Sequence, residues 1–274
     1  MNRLFVVNKP LFVSSNQYLS RIKRKYKVKK AGFSGTLDPF AKGCLIVAFG
    51  KYAKLFQYLK KTPKRYKATL FLGAYSDTLD VEKISKVDIP PKFDFDEIKK
   101  VVDNFKGKIT QIPPKYSAKK INGIRAYDLA RAGKDVDIKK IDVEIYDIKI
   151  INYSHPFLSF EAEVSEGTYI RSLGRDIAEK LGVHGSLTYL ERLNEGEFIF
   201  DNEKPLDPLK YLDLEKNEYL GDIENLLLGR KLNKDDFKIT KTGKYIVEFD
   251  NYFAIIEITD VVKYLLNKVP KGNQ

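Results

Sequence analysis

A single carboxylate, Asp38, stands in the middle of the segment GFSGTLDPFAKG at residues 32–43. The glycine, serine, threonine and proline around it are typical of a surface turn, and most turns of this composition have no catalytic role. Chemistry is favoured here because Leu37 and Phe40 are apolar and the loop continues directly into CLIVAFG (44–50), a predicted buried strand. A loop anchored beside a core can hold a carboxylate rigidly, and catalytic residues are often found on such loops.

The elements that must position this loop alternate irregularly between strand and helix, which indicates an α+β fold. The patterns predict strands at 4–10, 44–50, 65–73, 143–153 and 157–167, and helices at 15–27, 51–61, 93–107 and 168–182. Thr168 is the expected N-cap of the last of these helices. Beyond a boundary near 225–232, the sequence predicts a small β-rich appendage that ends in a helix near 259–267.

The charge of the chain indicates a polyanionic partner. Its 49 Lys and Arg residues outnumber 37 Asp and Glu residues, for a formal net charge of +12. Seven basic side chains, Lys29 and Lys30 among them, lie in RIKRKYKVKK at 21–30. A solvated helix face is the alternative explanation for this run. Further basic segments that contain tyrosines favour nucleic acid, because lysines neutralise phosphates and aromatic rings stack on bases.

Several functional classes are disfavoured by composition. No stretch approaches the roughly 20 apolar residues that span a membrane. Cys44 is the one cysteine and lies in an apolar run, so we expect a buried thiol and a reducing, cytoplasmic compartment. His155 and His184 are far apart in the sequence and cannot form a typical zinc site with one cysteine, so we expect no metal.

Five segments resemble, in order, the motifs of the TruB-type tRNA pseudouridine synthases. They are NKPLFVSSN (8–16), KAGFSGTLDPFAKG (30–43), KRYKATLFLGAYSDTLD (64–80), QIPPKYSAKKINGIRAYDLAR (111–131) and GTYIRSLGRDI (167–177). The resemblance covers residues 3 to about 200. It implies a pseudouridine synthase fold with a mixed, mostly antiparallel central sheet. The implied domains are a catalytic domain over 1–228, with an RNA-gripping insertion at 113–140, and a reduced PUA-like module over 229–274.

The resemblance also implies an activity: isomerisation of uridine 55 in the T loop of tRNA to pseudouridine. The implied enzyme needs no metal or cofactor, flips the uridine out of its stack, requires no protein partner and is a monomer. Asp38 in GTLDP matches the family's catalytic aspartate. A carboxylate there could act as a nucleophile at the sugar or the base, or as a base that abstracts a sugar proton.

Other roles follow from the same resemblance. Tyr66 matches the active-site tyrosine that stacks on the target base and handles its proton, and Arg171 matches the arginine that orients the aspartate. Tyr169 and Leu190 match residues that line the uracil pocket. Without the resemblance, Tyr66 would be a core aromatic of a strand and Arg171 a solvated helix residue. Lys9, in the NKP motif, matches a structural position.

One departure from the family concerns Phe33, which stands where the family usually has histidine. Phenylalanine can stack on a base but has no side-chain hydrogen bond to offer, so a stacking or wedging role is the one we expect it to keep. Two rival functions stay open from the sequence: a non-catalytic RNA-binding protein that uses the same basic surface, and a pseudouridine synthase that acts on a different RNA.

Overall fold

A large central sheet and a smaller C-terminal sheet organise the protein. The computed structural model describes residues 1–117, 120–121, 124–125 and 138–272. Most of the predicted RNA-gripping insertion at 113–140 therefore lies outside the described residues. Within the described part of the chain, no helix is long and apolar enough to cross a membrane.

The described strands range from 2 to 14 residues, and the described helices are few. The strands are β1 (Arg3–Lys9), β2 (Ala31–Ser34), β3 (Lys42–Phe49), β4 (Lys64–Leu72), β5 (Ala74–Ser76), β6 (Ile84–Val87), β7 (Gly107–Gln111), β8 (Lys120–Ile121), β9 (Ile124–Arg125), β10 (Ile141–Ser154), β11 (Phe157–Val164), β12 (Gly185–Glu195), β13 (Phe198–Ile199), β14 (Glu215–Asn217), β15 (Gly243–Phe249), β16 (Tyr252–Ile258) and β17 (Val262–Pro270). The α-helices are α1 (Ser15–Lys25), α2 (Phe95–Asp103), α3 (Ile170–Lys180) and α4 (Ile223–Leu228), and 3-10 helices span Gly50–Tyr58, Val81–Lys83, Pro208–Lys210 and Lys234–Asp236.

The central sheet has the order β1-β3-β12-β4-β11-β10-β7, with β2 paired to β3 and β13 paired to β12. Its described pairs are antiparallel except for β3 and β12, which run parallel where Glu191 and Arg192 lie opposite Lys42 and Gly43. The predicted mixed, mostly antiparallel sheet is confirmed. The parallel pair brings the end of the Asp38 loop directly against β12.

The two faces of the sheet at β1 and β3 are covered by different elements. Successive side chains of a strand point to opposite faces, so neighbouring residues pack against different elements. On one face, Phe5 and Leu45 pack with Ile22 of α1. On the other face, Leu4 and Ile46 pack against the Gly50–Tyr58 helix and against Phe253 and other apolar residues of the C-terminal sheet. At the opposite end of the sheet, α2 and α3 cover β4, β10 and β11. Helix α3, which carries Arg171, is thus fixed on the core.

The C-terminal sheet has the order β14-β15-β16-β17. Its edge strand, Glu215–Asn217, precedes the predicted module boundary at 229. The helix predicted near 259–267 is wrong, because Val262–Pro270 forms a strand antiparallel to β16. Val262, Tyr264 and Val269 favour a strand, but in so short a run periodicity does not separate strand from helix.

Two local predictions about helices also need correction. The helix predicted at 51–61 is a 3-10 helix that ends earlier, at Tyr58, and its Tyr52 hydroxyl donates to the Pro270 carbonyl of β17. Thr168 does not cap α3, because its hydroxyl hydrogen-bonds the Ser165 hydroxyl and the N-cap is Tyr169. The Tyr169 N–H instead donates to Oε1 of Gln111, a distant partner that local sequence cannot reveal.

Candidate active site

The loop between β2 and β3 is fastened at several points, so the position of Asp38 is well defined. Ser15, the first residue of α1, donates its hydroxyl to the Leu37 carbonyl (2.9 Å) and accepts from the Leu37 N–H (3.0 Å). Helix α1 begins there because Ser14 and Gln17 form a reciprocal capping box. Inside the loop, the Ala41 N–H donates to the Asp38 carbonyl at 3.1 Å.

A buried lysine holds the same loop from the other side. The Lys9 ammonium donates to the carbonyls of Pro10 (2.9 Å), Val13 (2.6 Å) and Pro39 (3.3 Å). Lys9 has no exposed surface. Burial lowers the pKa of Lys9 to about 8, while the negative charge of Asp38 acts in the opposite direction. The ammonium thus ties the residue after Asp38 to the turn that follows β1.

Arg171 joins two carboxylates. Its Nε lies 2.9 Å from Oδ2 of Asp38, and its Nη1 lies 3.4 Å from Oδ2 of Asp80. The remaining donors bind backbone, with Nη1 on the Thr78 carbonyl (2.7 Å) and Nη2 on the Tyr116 carbonyl (2.8 Å). A guanidinium held at this many points has one orientation. It therefore presents Nε to Asp38 in a fixed direction.

The two carboxylates differ in environment. The Asp80 side chain is 3% exposed, whereas that of Asp38 is 33% exposed. Burial raises the pKa of Asp80, and the Thr78 hydroxyl and Arg171 act in the opposite direction. Oδ1 of Asp80 also accepts from the Thr78 hydroxyl at 2.6 Å and the Glu82 N–H at 3.0 Å. Asp80 is thus built into the protein, while Asp38 is the carboxylate accessible to a substrate.

Asp38 opens onto a cavity of about 570 Å³, a size typical of small-ligand sites. Arg171, Phe33 and Tyr116 also line it, together with Ser14 and the other residues at the start of α1. Of the residues predicted for the site, the structure thus brings Asp38, Arg171 and Phe33 together around one space. The aromatic rings among them supply apolar surface beside a charged pair.

The other predicted pocket residues, Tyr66, Leu190 and Tyr169, are not among the residues that line this cavity. Tyr66 on β4 and Leu190 on β12 are 8% and 5% exposed and belong to one hydrophobic core cluster. Burial acts to lower the pKa of Arg192, but the charge of Glu195 and, after it, Tyr66 raise it, so Tyr66 lies within electrostatic reach of Arg192. Burial raises the pKa of Tyr169, and the charge of Asp38 adds to that shift, so Tyr169 lies within electrostatic reach of Asp38.

Lys29 and Lys30 are exposed and do not line the Asp38 cavity. Lys29 lies instead on a separate surface depression beside Lys23, Arg24 and Lys27, at the C-terminal end of α1. The basic run thus forms a cationic surface outside the cavity, as contacts to phosphate would require.

Asp80 is the main residue that sequence reasoning gave no role. It ends the segment YSDTLD (75–80), which was already part of a motif, and its acidic side chain in a Ser/Thr-rich turn was an available signal. Its contact with Arg171 depends on tertiary folding. Among the described residues, no group of three or more His, Cys, Asp or Glu side chains could hold a metal ion.

Comparison with known proteins identifies the family to which this geometry belongs. A family model described as TruB family pseudouridylate synthase (N terminal domain) matches residues 23–170. The chain belongs to this family. It is therefore an isomerase of the pseudouridine synthase class, with Asp38 and Arg171 at a shared cavity as the structural core of the candidate site.

Relatives named tRNA pseudouridine synthase B match nearly the whole chain. The protein of Sulfurovum sp. (strain NBC37-1) is 56% identical and covers 99% of this chain and 98% of its own length. That of a Nitratiruptor species is 52% identical and covers 100% of both, and one from Campylobacter jejuni (strain RM1221) is 50% identical over 99% of this chain and 100% of its own.

The fold is also found in solved structures of low sequence identity. A chain from the crystal structure of a Cbf5-Nop10-Gar1 complex has a TM-score of 0.69 at 21% identity, and the match covers 98% of this chain and 85% of that one. A chain from the archaeal box H/ACA sRNP Nop10-Cbf5 complex has a TM-score of 0.64 at 20% identity, over 98% of this chain and 86% of its own. The predicted pseudouridine synthase fold is confirmed.

Proposed function

We propose that the protein converts uridine 55 in the T loop of tRNA to pseudouridine, with Asp38 as the catalytic carboxylate. The observation that carries this proposal is the 2.9 Å pair of Arg171 Nε with Oδ2 of a one-third-exposed Asp38 at the cavity. The names of the relatives, which are tRNA pseudouridine synthases, support tRNA as the substrate.

The reaction requires one bond to break and another to form at the same sugar carbon. The N1–C1′ bond breaks, the uracil turns, and a C5–C1′ bond forms, after which C5 loses a proton and N1 holds one. Atoms and electrons balance without an oxidant or reductant. The carboxylate acts as a nucleophile at the sugar or base, or abstracts a sugar proton, and each role needs an ionised oxygen held in place.

Each further residue has a part in this scheme. Arg171 orients Asp38, and Tyr66 stacks on the uracil and handles the C5 proton. Tyr169 and Leu190 line the uracil pocket, and Phe33 stacks on a base at the cavity. Since the uridine lies within a folded loop, it must leave its stack to reach Asp38.

The rest of the chain serves RNA binding in this proposal. Lys29 and Lys30 contact phosphates, the segment at 113–140 grips the RNA, and residues 229–274 act as a reduced PUA-like module beside a catalytic domain over 1–228. The protein works as a monomer, without a cofactor, a metal or a protein partner.

The test uses the full-length protein and an unmodified tRNA transcript, with pseudouridine mapped by carbodiimide modification and primer extension. We expect one stop, at the nucleotide on the 3′ side of position 55, and none in a matched transcript that carries cytidine at position 55. Stops at another position would contradict the assignment of uridine 55. Mapping total cellular RNA with and without the gene separates the rivals, since modification confined to another RNA would reject tRNA as the substrate, and no change in any RNA would favour a binding protein.

A further inference from the structure

Phe12, in the turn between β1 and α1, combines two unusual features. Phe12 is 71% exposed, the largest exposed fraction among the large apolar residues in the described part of the chain. Its backbone is left-handed, with φ of 57°. Single exposed apolar residues are common on proteins, so exposure by itself indicates nothing. A bulky aromatic residue that is both exposed and left-handed is uncommon, because its Cβ is crowded in that backbone conformation.

The turn that carries Phe12 is held rigidly beside the catalytic loop. One buried nitrogen, Nζ of Lys9, binds the carbonyls of Pro10 and Val13 on either side of Phe12, and also the carbonyl of Pro39. The residue next after Val13 is Ser14, which lines the Asp38 cavity. Two residues of chain span at most about 7 Å, so the backbone of Phe12 lies at the rim of that cavity.

The strain at Phe12 therefore occurs at a functional site, where such backbone outliers tend to cluster. Core packing does not explain why an aromatic residue stands here, since Phe12 belongs to none of the core clusters of the described residues. Helix α1 follows at once and carries Arg21, Lys23 and Arg24, a surface suited to phosphates. An aromatic face at the rim of a nucleotide-sized cavity, with these cations on the helix that follows, suits a nucleobase.

We infer that Phe12 is a stacking residue for an unpaired base of the substrate RNA, next to the uridine that enters the Asp38 cavity. This inference rests on the proposed function for the identity of the RNA. It adds a contact outside the pocket to the one proposed for Phe33 inside it. The rigid turn presents the ring in a single position, which reduces the entropy lost on binding.

Substitution of Phe12 by glycine distinguishes a role of the ring in RNA binding from a role in folding. Phe12→Gly removes the ring and suits the positive φ, so its Tm should equal or exceed that of the wild type. Its Kd for the tRNA transcript should rise about tenfold, within the range for loss of one stacked base, while the single-turnover rate at saturating RNA changes less than about twofold. Phe12→Tyr should keep wild-type affinity. A blunt RNA duplex, which offers no unpaired base, should bind the wild type and Phe12→Gly equally.

Asp250→Gly is the matched control, since Asp250 is exposed, has φ of 44° and lies in the turn between β15 and β16. It should relieve similar strain without changing RNA affinity. The inference would be overturned if Phe12→Gly bound the transcript as tightly as the wild type, or if it lost as much affinity for the duplex as for the transcript. It would also be overturned if Phe12→Gly had a lower Tm and Phe12→Tyr bound the transcript less tightly than the wild type. If the wild type forms no pseudouridine in tRNA, the proposed function fails, while the affinities of the variants still decide the role of Phe12.

Discussion

At the scale of single residues, Lys9 shows how a buried charge serves a site without facing the substrate. Its ammonium has three N–H donors, and three backbone carbonyls accept them. A neutral amine has two N–H groups, so deprotonation would release one carbonyl. The hold on Pro39, which follows Asp38, is the longest of the three at 3.3 Å and is the one we expect to weaken first.

The pH dependence of the reaction should reveal this role. Burial lowers the pKa of Lys9 from 10.5 to about 8, so the ammonium is complete below that pH and is lost as the pH rises through it. We expect the single-turnover rate at saturating RNA to be nearly level up to about pH 7 and to fall as the pH rises through 8. Lys9→Met should be slower at neutral pH and should lack this descending limb. A wild-type rate that stays level to pH 9.5 would show that the charge of Lys9 is not needed.

Phe33 allows a second test at this scale, because it lines the cavity where the family usually has histidine. A flat aromatic face can stack on any base, whereas a methyl group cannot. Phe33→Ala should therefore lose about tenfold or more in kcat/KM, while Phe33→His should lose far less. If the alanine variant is as active as the wild type on the same transcript, the position has no part in handling the base.

At the scale of elements, the contact of β3 with β12 fixes the end of the catalytic loop. Gly43 has φ of +112°, and a Cβ added there would lie 2.2 Å from the Arg192 carbonyl oxygen. The Arg192 side chain donates from Nε to the Cys44 carbonyl and from Nη2 to the Gly35 carbonyl, both at 2.8 Å. A buried carboxylate, Glu195, pairs with Arg192 Nη2 at 2.9 Å. The loop is thus held at both ends by one strand.

Gly43→Ala should therefore be strongly destabilising. We expect the free energy of unfolding to fall by at least about 3 kcal/mol, from backbone strain together with the clash. Gly182→Ala is the matched control, because Gly182 also has a positive φ (+74°) but a Cβ there would meet nothing within 4 Å. It should cost only about 1 kcal/mol. If urea unfolding shows the same loss of unfolding free energy for both variants, β3 and β12 can move apart at Gly43 without a loss of stability.

Sequence reasoning located the elements best where local pattern decides structure. The strands predicted at 143–153 and 157–167 are present as the antiparallel pair β10 and β11, and α1 begins at its capping box. Failures occur where a distant partner decides. The run at 262–270 becomes a strand because β16 offers an edge, and the N-cap of α3 is Tyr169, whose N–H donates to Gln111, rather than Thr168.

The candidate site shows the same division. The composition of its loop indicates Asp38, but only the family resemblance predicts its pairing with Arg171, since no local pattern links a loop to a distant helix. The structure places the two side chains 2.9 Å apart. Asp80 and Lys9 act through buried contacts with Arg171 and Pro39, and buried polar networks of this kind have no periodic signature in sequence.

At the scale of the whole molecule, the net charge of +12 predicts that RNA binding weakens as the salt concentration rises. The logarithm of the association constant should fall linearly with the logarithm of salt concentration, because each neutralised phosphate releases counterions. Replacing Lys29 and Lys30 with alanine should weaken binding and make the slope shallower, with the chemical step at saturating RNA largely kept. The matched control is the double alanine variant of Lys99 and Lys100, two exposed lysines of α2. This account of the basic surface would be contradicted if RNA affinity did not change with salt concentration. It would also be contradicted if the double alanine variant of Lys29 and Lys30 lost turnover but kept its RNA affinity.

The most direct test of the account is single-turnover pseudouridine formation by Asp38→Asn, followed as release of tritium from C5 of uridine in the tRNA transcript. Asparagine has nearly the same volume as aspartate but lacks the charge and basicity that every proposed role requires. We predict a folded protein that binds the transcript with near wild-type affinity and releases no detectable tritium. Arg171→Ala should also be slow, and the double variant should be little worse than Asp38→Asn, because the pair acts as one unit. Substantial tritium release by Asp38→Asn would remove Asp38 from catalysis and contradict the central claim.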